Sequence, residues 1–259
     1  MGRMSTQPAG ATPATASVAT SATASAAASV AADVPKPDGR RSAAAARRRR
    51  REQEILDATR ALFDARGVRD AQIEDIARAV GINRAIIYRH FSGKEELFAL
   101  TLVGYLDQLE RRLAAVDQPS AAPKQRLRRI TEGFMDFGIE YPAFVDCAQT
   151  LMRRPGPELL EEISEGAIYR LGCGIATCLA RVVDVLQAGV DAGTFHTDDV
   201  HLLANTLYAT GLGGMQLARV GMLVKEAAPG VPVVATLSAD QVKEHMVAAS
   251  IAMAVGPRT

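Results

Sequence analysis

The apolar residues between positions 55 and 80 recur with the period of an α-helix. A first apolar stripe covers residues 55–63 and ends at Gly67, so regular structure is expected to begin near Arg48. A second stripe covers residues 73–80, with members at i, i+3, i+4 and i+7, and stops at Gly81. The pattern predicts two helices, of which the second is short and buries one face.

Two further helix starts follow directly. Asn83 is a suitable N-cap for a third helix over residues 84–90, because its side chain can accept a hydrogen bond from an unpaired backbone N–H. Ser92 and Glu95 have the S-x-x-E spacing of a capping box. This spacing predicts a fourth helix that runs towards Arg112.

The remainder of the chain consists of longer apolar segments with helical period, separated by prolines and glycines. The β-like run at 231–237 is short and follows prolines, and we interpret it as a loop between helices. The sequence therefore predicts an all-α fold. Beyond a loop at 118–123, the expected helical segments are 127–140, 142–153, 158–192, 198–224 and 239–254.

Residues 1–46 are dominated by Ala, Ser, Thr, Pro and Gly. The stretch has little to bury and no period, which predicts disorder. The alternative is a secretory signal. Thr and Ser interrupt any apolar core that such a signal needs, and the arginine run lies downstream of the stretch, which favours disorder.

Charge is distributed unevenly along the chain, although the formal net charge is only +1. Residues 1–51 contain nine Lys or Arg and two acids, a net charge of +7, which leaves −6 for the rest. A basic N-terminal end suggests an anionic partner there, either nucleic acid or a membrane surface.

Several classes of protein find little support. We find no strongly apolar run of about 18 residues, so no membrane-spanning helix is expected. Cys147, Cys173 and Cys178 have no repeated spacing, which argues against a disulfide framework; they are interpreted as core thiols, with a redox switch as the alternative. No Gly-rich phosphate loop, metal-ligand spacing or nucleophile motif is present. The sequence predicts no catalytic residue, no metal and no cofactor.

The second and third predicted helices, joined by a glycine turn, have the form of a helix-turn-helix at about residues 72–91. On a helical wheel Ile87 and Phe91 share the face that would pack on the second helix. Arg84, Ala85, Tyr88 and Arg89 then point away from that core. A basic and aromatic outer face suits a recognition helix in a DNA major groove; a solvated surface is the alternative.

Residues 55–98 resemble the DNA-binding domain of TetR/AcrR-type transcriptional regulators. The features shared are ALF-x-x-x-G, I-A-x-x-x-G-I, Y-x-H-F and K-E-x-L, within the stretch ILDATRALFDARGVRDAQIEDIARAVGINRAIIYRHFSGKEELF. The resemblance implies a three-helix DNA-binding domain at 47–108 and a helical effector-binding and dimerisation domain at 109–259, after the extension at 1–46. It also implies a cytoplasmic, homodimeric repressor, bound to the bacterial nucleoid, that a small molecule releases from a palindromic operator.

The resemblance assigns roles within the motif. Tyr88 and His90 would lie along the phosphate backbone, and Lys94 would meet a phosphate at the start of the fourth helix. Arg84, Ala85 and Ile86 would face base edges. Arg84 could bind guanine O6 and N7 in a bidentate contact, and Ile86 could touch a thymine methyl unless it is a further core residue. The predicted DNA-binding set is Arg47, Arg48, Arg49, Arg50, Arg51, Gln72, Asn83, Arg84, Ala85, Ile86, Tyr88, Arg89, His90 and Lys94.

Some positions depart from the family pattern. The family often has Thr or Ser at the start of the second helix, where this chain has Ala71 and Gln72. Asp70 could supply the cap instead, and Gln72 could reach a phosphate. Ala85 replaces the usual Gly or Pro, and Ile86 replaces Thr or Ser, so the base sequence that is read is expected to be unusual.

The arginine run at 47–51 directly precedes this domain. A charge run is commonly just solvated. Next to a DNA-binding domain, we expect it to add phosphate or minor-groove contacts.

In the C-terminal domain, the resemblance implies an effector pocket and a four-helix dimer interface from the last two helices, at 198–224 and 239–254. The glycines at 211, 213 and 214 would allow close helix packing, with local flexibility as the alternative. The apolar composition favours a mostly apolar effector. The polar candidates for contact with the effector are Tyr141, Gln149, Tyr169, Asn205 and Tyr208. For each of them the alternative is a hydrogen-bonded residue of the core.

The expected function is thus a DNA-binding transcriptional regulator with double-stranded operator DNA, a small effector and a second copy of itself as partners. A constitutive nucleoid-type DNA-binding protein or a helical enzyme is the alternative. Release from one short palindrome by a small molecule separates a regulator from a nucleoid protein, and a turnover assay tests for an enzyme.

Overall fold

A computed structural model describes residues 39–153 and 155–256 of the chain. Helices dominate this part, as the sequence predicts, with one small antiparallel sheet. The helices, in chain order, are α1 (Gly39–Arg66), α2 (Ile73–Val80), α3 (Arg84–His90), α4 (Lys94–Val116), α5 (Pro123–Glu140), α6 (Pro142–Met152), α7 (Gly156–Glu162), α8 (Glu165–Asp191), α9 (Val200–Val220) and α10 (Ala239–Val255); the strands are β1 (Met222–Ala228) and β2 (Val231–Thr236).

Helix α1 begins at Gly39, earlier than the expected start near Arg48. The prediction of disorder is therefore wrong for residues 39–46. Alanine and arginine both have high helix propensity, and this preference outweighs the lack of an apolar face in the run of alanines and arginines. The predicted disorder of residues 1–38 lies outside the described residues.

The turn between α2 and α3 forms as the sequence predicts. Gly81 has a positive φ of 72° and ends α2, a conformation that glycine adopts without steric cost. Asn83 is the N-cap of α3, and its side chain accepts a hydrogen bond from the N–H of Ala85 at 2.9 Å. This prediction is confirmed.

Two predicted caps are wrong. Gln72, rather than Asp70, is the N-cap of α2, and no side-chain cap bond is formed there by the described residues. Helix α4 begins at Lys94 with Gly93 as its N-cap, so Ser92 and Glu95 do not form a capping box. Because the helix starts one residue later than expected, Glu96 accepts the hydrogen bond from the N–H of Ser92, at 2.5 Å.

The C-terminal helices pack around one core, in which α8 lies against α4 and α10 lies against α5 and α9. The single segment expected over 158–192 is two helices, α7 and α8. Ser164 ends the continuity, because it has extended backbone angles and its hydroxyl accepts from the N–H of Ala167 as the N-cap of α8.

The interpretation of 231–237 as a loop is wrong, and the expected helix over 198–224 is too long. Helix α9 ends at Gly221, which has a φ of 67°, and the chain continues as a β-hairpin. The β-branched residues, of which Val224 lies in β1 and four lie in β2, favour this conformation. Pro232 lies opposite Glu226 in a two-stranded sheet, where proline is tolerated because each strand is an edge.

Helix α8 bears on the expectation that no helix spans a membrane. By length and composition, among the described residues, it is apolar enough to cross a membrane. Such a test is also passed by helices of a packed bundle, and α8 contacts α4, α5 and α9. Its apolar character is therefore weak evidence for a membrane.

Candidate nucleic-acid interface

Helix α3 is fixed to the body of the protein by its inner face. Ile87 is 1% exposed and Phe91 is 2% exposed, and both belong to the same core as Ile76 of α2. Val80 and Ile82 are partly buried against this core. The packing face predicted from the helical wheel is confirmed, and it leaves the opposite side of α3 turned outward.

The outward side of α3 carries the predicted recognition residues. Arg84, Ala85 and Arg89 are exposed, and the Tyr88 ring is 52% exposed. Ile86 is half-buried and lies outside the main hydrophobic core, so it is not a further core isoleucine. A side chain in this position can still contact a thymine methyl.

The guanidinium of Arg84 forms an ion pair with Glu74 of α2, with Nη1 to Oε1 at 3.0 Å. The pKa of Glu74 lies below its ordinary value because its carboxylate accepts hydrogen bonds from the backbone N–H of Glu74 and from Arg84. Sequence reasoning missed Glu74, because its partner is ten residues away on another helix and no spacing rule relates them. The pair places Arg84 beside an acid that competes with any DNA contact.

His90 lies at the end of α3, half-buried. Burial and the nearby charge of Arg48 lower the pKa of His90, so the ring is neutral at pH 7. Its Nδ1 is buried without a hydrogen-bond partner among the described residues. A phosphate contact by His90 at neutral pH would thus use a neutral N–H donor.

Lys94 is the first residue of α4, where backbone N–H groups are unpaired by helix geometry. Its Nζ lies 5.1 Å from the centroid of the Phe98 ring, a cation–π contact that restrains the side chain. Gln72 is exposed at the start of α2, and Asn83 is exposed at the start of α3. The starts of three helices thus carry polar groups that are able to meet a phosphate.

The arginine run forms part of helix α1. Arg47, Arg48, Arg49 and Arg50 are exposed and Arg51 is half-buried. Arg50 and Arg51 both pair with the carboxylate of Glu54, at 3.2 and 2.8 Å. The run is therefore a basic surface on a helix, in which the negative charge of Glu54 partly neutralises Arg50 and Arg51.

Comparison with known proteins identifies this arrangement. Residues 55–100 match the family described as "Bacterial regulatory proteins, tetR family". The chain is 30% identical over 155 residues to the HTH-type transcriptional repressor KstR2 of Mycobacterium tuberculosis (strain ATCC 25618 / H37Rv), covering 58% of this chain and 72% of that protein. The chain belongs to the TetR family. KstR2 of Rhodococcus jostii is also 30% identical, over 175 residues, covering 65% of this chain and 79% of the relative.

Solved structures share the fold of this TetR-family protein. RolR in complex with resorcinol superposes with a TM-score of 0.59 at 17% identity, covering 81% of this chain and 90% of RolR. A tetR-family regulatory protein from Rhodococcus RHA1 gives 0.56 at 16% identity, covering 78% and 96%. The predicted resemblance and the predominantly helical fold are confirmed, and the protein is a DNA-binding transcriptional regulator rather than an enzyme.

The C-terminal domain of this TetR-family regulator contains an apolar cavity of about 50 Å³. Tyr208 is the predicted pocket residue that borders it. Burial raises the pKa of Tyr208 above its ordinary value, so the hydroxyl is a neutral donor. The full lining is Leu109, Leu113, Leu127, Ile130, Thr131, Phe134, Cys178, Leu179, Val182, Ala204, Leu207, Tyr208, Gly211, Met246 and Ser250.

The other four pocket candidates lie elsewhere. Tyr141 accepts a hydrogen bond from Gln108 Nε2 at 3.0 Å, and Gln149 donates to the carbonyl of Leu212 at 3.4 Å. Tyr169 and Asn205 are exposed on α8 and α9. The apolar pattern places a residue on a helix, but the orientation of that helix decides which side borders the cavity.

Helix α4 joins the two functional regions. It starts with Lys94 beside the recognition helix, and Leu109 and Leu113 near its other end line the cavity. Its 23 residues span about 34 Å. Another connection is the buried carboxylate of Glu96, to which the hydroxyl of Ser164, the N-cap of α8, donates a hydrogen bond.

Proposed function

We propose that the protein is a homodimeric, cytoplasmic repressor, on the nucleoid when bound, whose affinity for a near-palindromic operator falls when a small apolar molecule occupies the cavity beside Tyr208. The observation that carries the proposal is the course of α4. One rigid helix has its first residue beside the recognition helix and its last turns in the wall of the cavity. A change in the cavity therefore acts directly on the position of the DNA-binding helices.

The size of the cavity supports a coupling between ligand and shape. Ligand pockets commonly measure about 300–1,000 Å³, whereas this cavity is about 50 Å³. An effector must therefore displace lining side chains such as Phe134, Leu179 or Met246. Phe134 and Leu179 belong to α5 and α8, which pack on α4, and Met246 belongs to α10, which packs on α5, so the displacement would reach α4.

The polar groups of the lining restrict the chemistry of the effector. Tyr208 supplies one hydroxyl, and Thr131 and Ser250 supply two more around an otherwise apolar wall. The hydroxyl of Ser250 donates to the carbonyl of Met246 at 2.8 Å. We infer an uncharged, mostly apolar molecule with one or two hydrogen-bonding groups, because the described lining offers no charged side chain to a charged ligand.

Homodimer formation is supported by the outer face of α9. Leu202 is 65% exposed and Leu217 is 44% exposed, and exposed small residues such as Ala209 and Gly213 lie between them. A methyl group at Gly213 would meet no atom within 4 Å, whereas at Gly211 it would lie 2.6 Å from Phe134 Cε1. Gly211 is thus needed for packing inside the subunit, and Gly213 leaves room for a partner helix outside it.

The proposal is tested by recovering the DNA fragments that the protein binds across the genome, followed by titration of the purified protein on the recovered site. Two recognition helices should read half-sites whose centres are about 34 Å apart. An effector found by thermal-shift screening of small apolar compounds should weaken operator binding, and operator should weaken effector binding by the same factor. Sequence-independent binding would instead support a nucleoid-type protein.

A further inference from the structure

The β-hairpin between α9 and α10 is an unusual projection for a helical domain. Its strands pair antiparallel from Met222↔Thr236 to Ala228↔Val231, and the N–H of Leu237 donates to the carbonyl of Gly221 at 2.9 Å to close the base. Its closest packing is between its own two strands. A two-stranded hairpin in water is marginally stable, so a hairpin of this kind needs a surface on which to pack.

Both faces of this hairpin are largely exposed, and one of them carries the exposed apolar residues nearest to α9, with Glu226 farther along it. Val224 and Val234 lie directly opposite each other, 73% and 63% exposed, and Met222 on the same face is 52% exposed. Strand residues alternate between faces, so Leu223 and Val233 lie on the other side. Leu223 is half-buried. A cluster of exposed β-branched residues on an edge strand promotes aggregation unless another protein surface covers it.

This apolar face continues the outer face of α9. Leu217 and Val220, near the end of α9, are 44% and 50% exposed, and Met222 follows directly on β1. No acidic or basic residue separates Val220 from Val224. The exposed side chains of Val220, Met222 and Val224 therefore follow one another from α9 onto the hairpin with no charged residue between them in the chain.

We propose that the hairpin is a dimerisation arm whose Met222, Val224 and Val234 face packs on a second copy of this chain. The inference rests on the proposed homodimer, because its surface is continuous with the outer face of α9. In a two-fold dimer the same patch on both subunits is buried together, so each subunit would supply one arm and receive the other. The arm would extend the helical interface by a strip of β-branched side chains.

The test uses two neighbouring valines in the full-length chain. Val234→Asp places a charge on the proposed contact face, and Val233→Asp places the same charge on the opposite face of the same strand. Sedimentation equilibrium should show a monomer–dimer dissociation constant raised by about tenfold or more for Val234→Asp and changed by less than about threefold for Val233→Asp. Far-UV circular dichroism and thermal unfolding report whether each variant remains folded.

Hydrogen exchange of the unmodified protein supplies a measurement that no misfolded variant can affect. Amides of the hairpin should be protected at concentrations where the protein is dimeric and should exchange rapidly on dilution to monomer. Two results would contradict the proposed dimerisation arm but not the proposed homodimer. One is a dimer in which the hairpin amides exchange freely, and the other is a Val234→Asp dimer as tight as the wild type. A wild-type chain that stays monomeric at all concentrations overturns both.

Discussion

The hydroxyl of Ser164, at the start of α8, donates a hydrogen bond to the Glu96 carboxylate near the start of α4, although the two residues are 68 positions apart. The other carboxylate oxygen accepts from the N–H of Ser92, in the turn between α3 and α4. The hydroxyl of Ser92 in turn donates to the carbonyl of Glu162. One buried acid thus joins the helix-turn-helix to the C-terminal domain.

Glu96→Ala should destabilise the protein and weaken the coupling between effector and operator. Burial by itself raises the pKa of Glu96, but the hydrogen bonds from Ser164 and Ser92 outweigh it and bring the pKa below its ordinary value. Loss of the carboxylate removes the hydrogen bonds that Ser164 and Ser92 donate to it, and a hydrogen bond to a charged group contributes about 1.5–3 kcal/mol. Thermal unfolding measures the loss of stability, and operator titrations with and without effector measure the coupling. Glu165→Ala, an exposed acid beside Ser164, is the matched control.

Arg84→Ala and Lys94→Ala should change DNA binding in different ways. If Arg84 contacts a guanine, its loss costs about 1–3 kcal/mol on the operator and little on a scrambled duplex. Lys94→Ala should weaken both complexes alike, because phosphate contacts carry no sequence information. Fluorescence titrations on the two duplexes separate these cases. Equal losses for Arg84→Ala would transfer base reading to Ala85, Ile86 or Arg89.

Ile87→Ala should unfold the recognition helix rather than remove a DNA contact. The side chain is 1% exposed and is the packed residue of α3 against α2. Removing a buried isoleucine commonly costs about 2–5 kcal/mol of folding stability. Chemical denaturation measures the free energy of unfolding, with the exposed Ala85→Ser as control. An unchanged midpoint would show that α3 is not held by this face.

The basic surface of α1 should contribute to affinity for all DNA. Replacing Arg47, Arg48 and Arg49 by glutamine removes three exposed charges and leaves the Glu54 pairs of Arg50 and Arg51 in place. The slope of log affinity against log salt should become shallower by about 0.9 for each phosphate that the protein no longer neutralises. Substitution is preferable to truncation because α1 begins at Gly39. An unchanged slope would show that these arginines do not touch DNA.

The buried ion pair of Asp117 and Arg126 should make folding stability depend on pH. Arg126 Nε and Nη2 donate to Asp117 Oδ1 and Oδ2 at 2.8 and 2.9 Å, and the side chains of Arg126 and Asp117 are 7% and 4% exposed. The hydrogen bonds from Arg126 lower the pKa of Asp117, despite burial. The folded-state pKa is thus below the unfolded value of about 3.9, so the stabilisation is complete above that value and is lost as the pH falls through the folded-state pKa.

Asp117→Asn should therefore cost about 3–5 kcal/mol at pH 7, because Arg126 is left as a buried charge without its partner. Urea unfolding across pH 2–7 should show a smaller loss of stability with acid for the variant than for the wild type. Asp107→Asn, within helix α4, which ends just before Asp117, is the control. A parallel dependence in both proteins would assign the acid sensitivity to other carboxylates.

The sequence by itself determined the helix-turn-helix and the family. Gly81, Asn83 and the apolar positions of α2 and α3 act through local backbone preference and helical period, which need no knowledge of distant residues. The same local rules separate the inner Ile87 from the outer Arg84. For this reason the inner and outer faces of α3 follow from the sequence, except at Ile86, whose burial the tertiary structure decided.

Tertiary structure decided the features that depend on distant partners. The Arg84–Glu74 pair and the Glu96–Ser164 link join residues on different helices, and no spacing in the chain relates them. Of the five predicted pocket residues, Tyr208 borders the apolar cavity, because the rotation of each helix is set by packing against its neighbours. The hairpin was not predicted either. A short apolar run is compatible with a loop or with a strand, and it becomes a strand here because a second strand pairs with it.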